Sequence, residues 1–268
     1  MWTMKKFVVL LMMNISGERI WMIIGMKMTT KTVTHNGQTC TFDDKYHIYT
    51  VNDQRLVSGT TFLRKFLPKF DGPKIAAETA EKHNTTPEAL LKEWKEKSER
   101  ASREGSMVHS YAEWVNNDVE VPPYSIGDDR VGLLTVQLLK ACDKLQEKGF
   151  KPLEPEKIIF SPGLGIAGMI DLPLLDPAGR LAILDWKTNE GLTLNNPFQE
   201  CLSPIDHLED ANLNHYALQL SLYQYIIITE NYYPEATGYR RMIVHLSEND
   251  NKIYFCKYLE DEIESMFI

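Results

Sequence analysis

The sequence has few cysteines, and they lie far apart. None of the four belongs to a Cys-x-x-Cys pair, since they are Cys40, Cys142, Cys201 and Cys256. This spacing offers neither a zinc knuckle nor the dense disulfide framework of a small secreted domain. We therefore expect reduced thiols in a cytoplasmic protein.

Long apolar runs and an excess of positive charge are missing as well. The apolar run at residues 7–13 is far too short to span a membrane, and no convincing cleavage site follows it, so we expect neither a membrane partner nor secretion. We interpret residues 1–28 as a flexible extension, or as the product of a start codon assigned too far upstream. The net charge of -8 argues against coating nucleic acid by bulk attraction, but it is compatible with a local basic groove.

What is present fits one soluble globular domain over residues 29–268, with 43% hydrophobic and 25% charged residues. Turn pairs at Asn36-Gly37 and Asn52-Asp53 predict a small hairpin region. Helical patterns then alternate with β-like runs. The helical patterns cover 73–84, 86–117, 128–149 and 212–232, and the β-like runs cover 157–161, 165–175, 181–187 and two segments within 239–259. This order predicts a mixed α/β domain.

The stretch of residues 165–190 carries charged residues on apolar strands. It predicts two strands joined by a short turn at 176–180. Regular pairing about this turn would place Asp171 opposite Asp185, where like charges are destabilising unless something neutralises them. Strand alternation places Lys187 on the same face as Asp185. A divalent cation would neutralise the pair, and an ordinary salt-bridge cluster at a sheet end is the alternative interpretation.

Two helical pairs have the four-residue spacing that places side chains on one face of a helix. They are His109 with Glu113, and Gln219 with Tyr223. Either pair alone is weak evidence, because such pairs are common as surface contacts or satisfied polar contacts. Their order around the charged hairpin is more informative.

Four motifs follow one another along the chain: Gly105-x-x-x-His109-x-x-x-Glu113, Gly168-Met169-Ile170-Asp171, Asp185-Trp186-Lys187-Thr188 and Gln219-x-x-x-Tyr223. In this order and at these intervals they resemble the PD-(D/E)XK nuclease superfamily, and within it the RecB-like branch. Phage exonucleases of that branch and the mitochondrial genome maintenance exonuclease are similar over residues 45–258. Ile170 stands where the superfamily name has proline, which is a tolerated variation.

The resemblance implies an α/β fold with a mixed central β-sheet flanked by helices. This would be a restriction-endonuclease-like PD-(D/E)XK core with an N-terminal, mainly helical extension. The hairpin and helical part would cover 29–150, and the catalytic core 99–258. Iron–sulfur members of the branch have one upstream cysteine and three close together near the C-terminus. This chain lacks that arrangement, so we expect no iron–sulfur cluster.

The resemblance also implies roles for individual residues. The ligands of a catalytic divalent metal would be His109, Glu113, Asp171, Asp185 and the main-chain carbonyl of Trp186. Lys187 would position or activate the attacking water. Gln219 and Tyr223 would orient the lysine side of the site and the substrate strand.

The chemistry of these residue types agrees with phosphodiester hydrolysis. The reaction needs a water made nucleophilic at neutral pH and compensation for charge in the transition state. Carboxylate ligands suit Mg²⁺ or Mn²⁺, and an imidazole ligand favours Mn²⁺. The sequence leaves open whether Lys187 acts as a base or as an electrostatic clamp.

Residues 60–70 combine basic and aromatic side chains. We assign Arg64, Lys65 and Lys69, together with Thr188 of the lysine motif, to nucleic-acid contact. The phenylalanines of this segment have helical spacing, which indicates core packing more often than base stacking.

The first functional hypothesis is a metal-dependent DNA exonuclease that prefers single-stranded DNA or strand ends, in a bacterial or phage-infected cell. One alternative is a structure-selective or site-selective endonuclease on the same core. The other is a nucleic-acid-binding subunit that does not cut. The intact pair of acids with a lysine argues against a subunit without activity. Protein partners are not identified by the sequence.

Overall fold

The structure is a computed structural model that describes residues 9–15, 18–24, 30–117 and 130–268. The described residues divide into two compact units, with the boundary between Val57 and Ser58. A single nuclease domain over residues 29–268 stays a prediction. Half of the segment predicted as a flexible extension, residues 1–28, falls outside the described residues, and the other half forms the two strands given next.

The first unit is built from antiparallel strands: β1 (Val9–Ile15), β2 (Glu18–Ile24), β3 (Thr30–His35), β4 (Gln38–Asp43), β5 (Ile48–Val51) and β6 (Gln54–Ser58). β1 pairs with β2, and β3 to β6 form a meander of four strands, which is larger than the predicted hairpin region. Two of its turns use the predicted Asn36-Gly37 and Asn52-Asp53 pairs, and all four residues have a positive φ. These residue types tolerate the left-handed conformation that tight hairpin turns require.

Helices open the second unit: α1 (Gly59–Leu63), α2 (Gly72–His83), α3 (Pro87–Asn116) and α4 (Arg130–Glu147), with a 3-10 turn at Arg64–Phe66 after α1. The Thr86 side chain caps α3, because it accepts a hydrogen bond from the Ala89 N–H at 3.2 Å. Gly149 follows α4 with a φ of +78°, as the glycine stop signal predicts. The predicted helical part is therefore confirmed between the meander and the central sheet.

The remaining elements are β7 (Lys151–Pro152), β8 (Lys157–Ser161), β9 (Ile166–Ile170), β10 (Leu172–Leu175), β11 (Leu181–Lys187), α5 (Asn212–Thr229), β12 (Tyr239–Leu246), β13 (Asn251–Cys256) and α6 (Glu260–Ser265). Five strands form a mixed sheet in the order β13-β12-β11-β10-β7. β11 and β12 are parallel, and α5 connects them and packs against both. The predicted mixed α/β fold with a central sheet flanked by helices is confirmed.

β11 lies in the middle of this sheet and is buried on both faces. Leu181 and Ile183 face the core formed with α5, whereas Ala182, Leu184 and Trp186 face the core formed with α3 and α4. The predicted alternation is thus confirmed. Strands covered on both faces are apolar along their whole length, so the polar end at Asp185 and Lys187 stands out.

The chain bends at Asp171, and this corrects the sequence analysis. The run predicted as one strand, 165–175, is two strands, because β9 pairs with β8 while β10 pairs with β11. The predicted register is confirmed from Leu175–Leu181 to Leu172–Leu184, but it stops one pair before Asp171 and Asp185. The reason is that the Asp171 carboxylate itself accepts the backbone N–H of Trp186, at 2.8 Å.

Within the described ranges, no helix combines the length with the hydropathy that a membrane crossing requires.

Candidate active site

Asp171 is the centre of the candidate site. It lies at the bend between β9 and β10, with its side chain only 12% exposed. Its Oδ2 accepts the Trp186 N–H at 2.8 Å and lies 3.4 Å from Nδ1 of His109. The pKa of this carboxyl is raised to about 6, chiefly by burial; His109 and Lys187 oppose the rise, and nearby Asp185 adds to it.

His109 reaches this bend from α3. Its Nε2 lies 3.1 Å from the Trp186 carbonyl, which only accepts, so Nε2 carries the ring N–H and donates it. The helix can approach because residue 105 is glycine: a Cβ there would lie 3.2 Å from Thr188 Oγ1. The Gly-x-x-x-His spacing thus lets α3 approach Thr188 closely and places His109 one turn later on the same helix.

Glu156 is a site residue that the sequence analysis missed. Ligand atoms of His109, Glu156 and Asp171 all lie within 4.8 Å of one another. The Glu156 N–H donates to the Asp171 carbonyl at 2.9 Å, and its φ of +52° is rare for a residue with a side chain. The β8–β9 register, Lys157 opposite Ile170, would have placed Glu156 opposite Asp171 if these two strands had been paired from the sequence.

Asp185 and Lys187 lie side by side at the end of β11, as predicted. Lys187 Nζ is 2.5 Å from Asp185 Oδ2, and both side chains are largely buried. Burial disfavours the ammonium of Lys187, but Asp185 and Asp171 outweigh this effect and hold the pKa of Lys187 above its usual value. The lysine therefore carries its charge at neutral pH in the metal-free chain.

Helix α5 completes the site from the other side. The Gln219 side-chain amide donates to Asp185 Oδ1 at 3.1 Å, which agrees with the role implied for Gln219. Tyr216, which the sequence analysis missed, has its ring centroid 4.5 Å from Lys187 Nζ. Its position three residues before Gln219, on the same helix face, is the signal that could have indicated it.

Tyr223 is buried behind the site and packs on Gly168 of β9. A Cβ on Gly168 would lie 2.9 Å from Tyr223 Cζ and closer still to Cε1, distances that real Cβ atoms do not show. Tyr223, in the fourth motif, can therefore occupy this position only because residue 168, in the second motif, is glycine. The orientation of a substrate strand by Tyr223 stays a prediction.

Replacing Gly168 with alanine is expected to displace the Tyr223 ring and to lower the free energy of unfolding by about 1–3 kcal/mol, the usual cost of overpacking. Nuclease turnover should fall too, since Tyr223 shares α5 with Gln219. Thermal melting and turnover measure the two effects. Gly191→Ala is the control, because a Cβ there meets nothing within 4 Å. Equal effects of the two substitutions would contradict the packing argument.

The other predicted site residues are distributed as follows. Glu113 lies on α3 one turn beyond His109 and outside the group formed with Glu156 and Asp171, so its role as a ligand stays a prediction. The Trp186 carbonyl faces the site but accepts from His109. Thr188 accepts a hydrogen bond from Arg130 through its carbonyl, at 2.7 Å.

The predicted nucleic-acid contacts Arg64, Lys65 and Lys69 lie at and just after the 3-10 turn and are exposed. No ion pair joins them to an acid within residues 30–117 and 130–268. Core packing is confirmed for Phe62, which is buried and stacks on Phe267, but is wrong for Phe70, which is 71% exposed.

Two carboxylates, a lysine and a supporting glutamine lie at the end of a central strand, and the chain was compared with the models of known families. The model of the PD-(D/E)XK nuclease superfamily matches residues 63–266. The chain belongs to the PD-(D/E)XK nuclease superfamily. Membership implies metal-dependent cleavage of nucleic acid by a hydrolase. No curated protein matches the chain.

The donors at the site of this PD-(D/E)XK nuclease fit a divalent cation. Asp185 Oδ2 is buried and, within the described chain, has the Lys187 ion pair but no hydrogen bond. Nδ1 of His109 lies 3.4 Å from Oδ2 of Asp171, so a cation bound by the carboxylate would also be within reach of the imidazole. Carboxylates with one imidazole are ligands that Mg²⁺ and Mn²⁺ accept.

Asp171→Asn is expected to stabilise the metal-free nuclease at neutral pH. Near pH 4 the carboxyl is mostly neutral in the folded chain and only about half ionised in the unfolded chain, so its ionisation costs the folded state little, whereas above pH 6 it disfavours the folded state, whose pKa is raised from 3.8 to about 6. At about 1.4 kcal/mol per pKa unit, the gain is at most about 3 kcal/mol. Denaturant unfolding with a chelator present, near pH 4 and pH 7.5, measures it. A gain of the same size at both pH values would contradict this assignment.

Proposed function

We propose that this nuclease is a metal-dependent DNA exonuclease of the RecB-like branch that acts on single strands or strand ends. The observation that supports it most is the convergence of four motifs from α3, β9, β11 and α5 on one site. His109 contacts Asp171 and the Trp186 carbonyl, and Lys187 and Gln219 both contact Asp185, at distances of 2.5–3.4 Å. A nuclease core that had lost its activity would have no need to retain this set.

The proposed ligands of the metal are His109, Glu156 and Asp171, whose ligand atoms lie together, and Asp185, which lies outside that group of three. Glu113 and the Trp186 carbonyl are further candidates. The metal is Mg²⁺ or Mn²⁺, and when bound it supplies positive charge for the transition state and lowers the pKa of water. Glu156 replaces Glu113 as the preferred carboxylate, because its ligand atom lies within 4.8 Å of those of His109 and Asp171. An iron–sulfur cluster is not part of the proposal.

The chain's own residues orient the reaction. Lys187 Nζ lies 2.5 Å from Asp185 Oδ2, and from there it would donate hydrogen bonds to the attacking water or the scissile phosphate. Gln219 holds Asp185 Oδ1, and Asp185 holds the lysine at 2.5 Å. Tyr216 covers the ammonium with its ring face, which limits the rotamers open to Lys187. The result is an ammonium fixed before substrate arrives.

A cleft of about 540 Å³ begins at the residues that follow Lys187. Its lining favours the proposal of a single-stranded substrate. Thr188 and Arg130 line the cleft, together with Phe70 and Trp94, whose rings meet edge to face at 5.9 Å. Phe70 is 71% exposed and Trp94 is partly exposed, and exposed aromatic rings stack on unpaired bases. The exposed Arg64, Lys65 and Lys69 would provide phosphate contacts.

Two other functions use the same core. An endonuclease would cleave the strand without needing a strand end. A binding subunit that does not cleave would not need the ammonium of Lys187. A cytoplasmic location in a bacterial or phage-infected cell is the setting we propose, and protein partners stay unidentified.

The function is tested by incubating the full chain with linear end-labelled and circular single-stranded DNA, each with Mg²⁺ or Mn²⁺. An exonuclease degrades the linear strand and leaves the circle intact. Cleavage of the circle would favour an endonuclease. Binding of both without cleavage, under either metal, would favour the non-cleaving subunit. Linear duplex DNA and linear RNA of the same sequence test the strand and sugar preferences.

A further inference from the structure

A second group of metal-ligating side chains lies between β11 and α5, outside the acid and lysine site. Cys201 and Asp210 belong to the long connection 188–211, and His215 belongs to the first turn of α5. One ligand atom from each residue lies within 4.8 Å of the other two. A thiol, a carboxylate and an imidazole are brought together from positions up to 14 residues apart.

The backbone of the connection holds two of these residues in place. Glu200 and Glu209 form an antiparallel bridge, with Cys201 and Asp210 directly beside it. The Cys201 N–H donates to the Leu208 carbonyl, and the Asp210 N–H donates to the Gln199 carbonyl, both at 2.8 Å. The side chains of Cys201 and Asp210 therefore extend from a short antiparallel pair whose register is fixed by backbone hydrogen bonds.

The third residue is held by the helix. The His215 N–H bonds to the Ala211 carbonyl at 3.1 Å, and its Nε2 lies 2.6 Å from Asp210 Oδ1. Cys201 is almost fully buried, whereas the side chains of Asp210 and His215 are 16% and 29% exposed. The group is thus closed on the thiol side and open to water on the imidazole side.

We propose that Cys201, Asp210 and His215 bind one Zn²⁺, with water as the fourth ligand. Cys201 binds as the thiolate, and its proton passes to solvent. Zinc at about 2.0–2.3 Å from tetrahedral ligands holds them about 3.3–3.7 Å apart. The His215–Asp210 contact therefore has to open by about 1 Å, within reach of side-chain rotation.

The softness of the donors separates this site from the acid and lysine site. Thiolate and imidazole select Zn²⁺, whereas carboxylates select Mg²⁺ or Mn²⁺. The zinc joins the end of connection 188–211 to the first turn of α5. That helix carries Tyr216 and Gln219, so zinc stabilises the helix end from which both contact the charged residues of β11.

Co²⁺ added to the metal-free full chain tests the proposal, because thiolate ligation produces an absorption band that nitrogen and oxygen ligands do not. We expect one equivalent of Co²⁺ to produce this band and Zn²⁺ to abolish it. Cys201→Ser should lose the band. Cys256→Ser, which replaces another buried cysteine outside the group, should keep it. His215→Gln should weaken Co²⁺ binding at least about tenfold, as loss of a ligand or its supporting partner does.

Any one of three results would contradict the proposed zinc site. They are the absence of a band in the parent chain, a band that persists in Cys201→Ser, and a Co²⁺ affinity of His215→Gln within twofold of the parent. If Cys201→Ser fails to fold, His215→Gln decides alone, since its side chain is partly exposed and a change there should be tolerated. None of these readouts uses nuclease activity, so they are independent of the proposed function.

Discussion

Lys187→Ala is expected to lower nuclease turnover about 10²–10⁴-fold, the range for a group that transfers a proton or stabilises charge in the transition state. The ammonium of Lys187 is held at 2.5 Å by Asp185 and covered by the Tyr216 ring, so its removal takes a fixed positive charge out of the site. The proposed metal ligands stay in place. Turnover on single-stranded DNA at saturating metal measures the loss, and Mn²⁺ titration should show binding largely retained.

The control for this change is Lys157→Ala. Lys157 pairs with Glu154 at 2.7 Å, and its side chain is 20% exposed, close to the 19% of Lys187. A partly exposed ion pair contributes only about 0–1 kcal/mol, so this variant should keep its turnover. Turnover of Lys187→Ala within a few-fold of the parent would refute the catalytic assignment. Loss of DNA binding together with turnover would indicate a phosphate clamp instead.

Asp185→Asn is expected to abolish both metal binding and turnover, with turnover falling at least about 10³-fold. Asp185 has one oxygen bonded to Gln219 and the other beside Lys187, so the amide removes a proposed ligand and leaves the lysine without its counter-charge. Calorimetric titration with Mn²⁺ and turnover on linear single-stranded DNA measure the two losses. Metal affinity and turnover within a few-fold of the parent would contradict the assignment.

Asp176→Asn is the matched control, because Asp176 is a buried carboxylate of the same hairpin with a structural role. It accepts from the N–H groups of Ala178 and Arg180 and pairs with the side chains of Arg180 and Arg240. Breaking such a network should lower the free energy of unfolding by about 1–3 kcal/mol. Folded Asp176→Asn should keep its metal affinity and turnover, which is the opposite pattern to Asp185→Asn.

The turn of the charged hairpin and its faces could be predicted because both depend on neighbouring residues. Gly179 has a φ of +76°, and the Asp176 N–H bonds to the Arg180 carbonyl at 3.0 Å, so the turn closes where its proline and glycine indicate. Strand side chains alternate with a period of two, which places Lys187 on the face of Asp185 once the strand is recognised. Both predictions were confirmed.

Glu156, Tyr216 and the bend at Asp171 could not be predicted in the same way. Glu156 meets Asp171 because β8 pairs with β9, and Tyr216 meets Lys187 because α5 packs on β11. The bend forms because a side-chain carboxylate takes a backbone N–H that a regular ladder would have used. Each depends on which distant elements pack together, and periodicity carries no information about that.

The sequence by itself therefore determined the order of the helices and strands, the hairpin turn, and which side chains share a face, since these follow from local sterics and spacing. It also carried the four motifs that identify the superfamily. Tertiary structure alone decided that Glu156 joins His109 and Asp171, and that Cys201, Asp210 and His215 meet between β11 and α5. The physical reason is that ligand atoms need contacts within a few ångströms, and only the packing of distant elements sets distances on that scale.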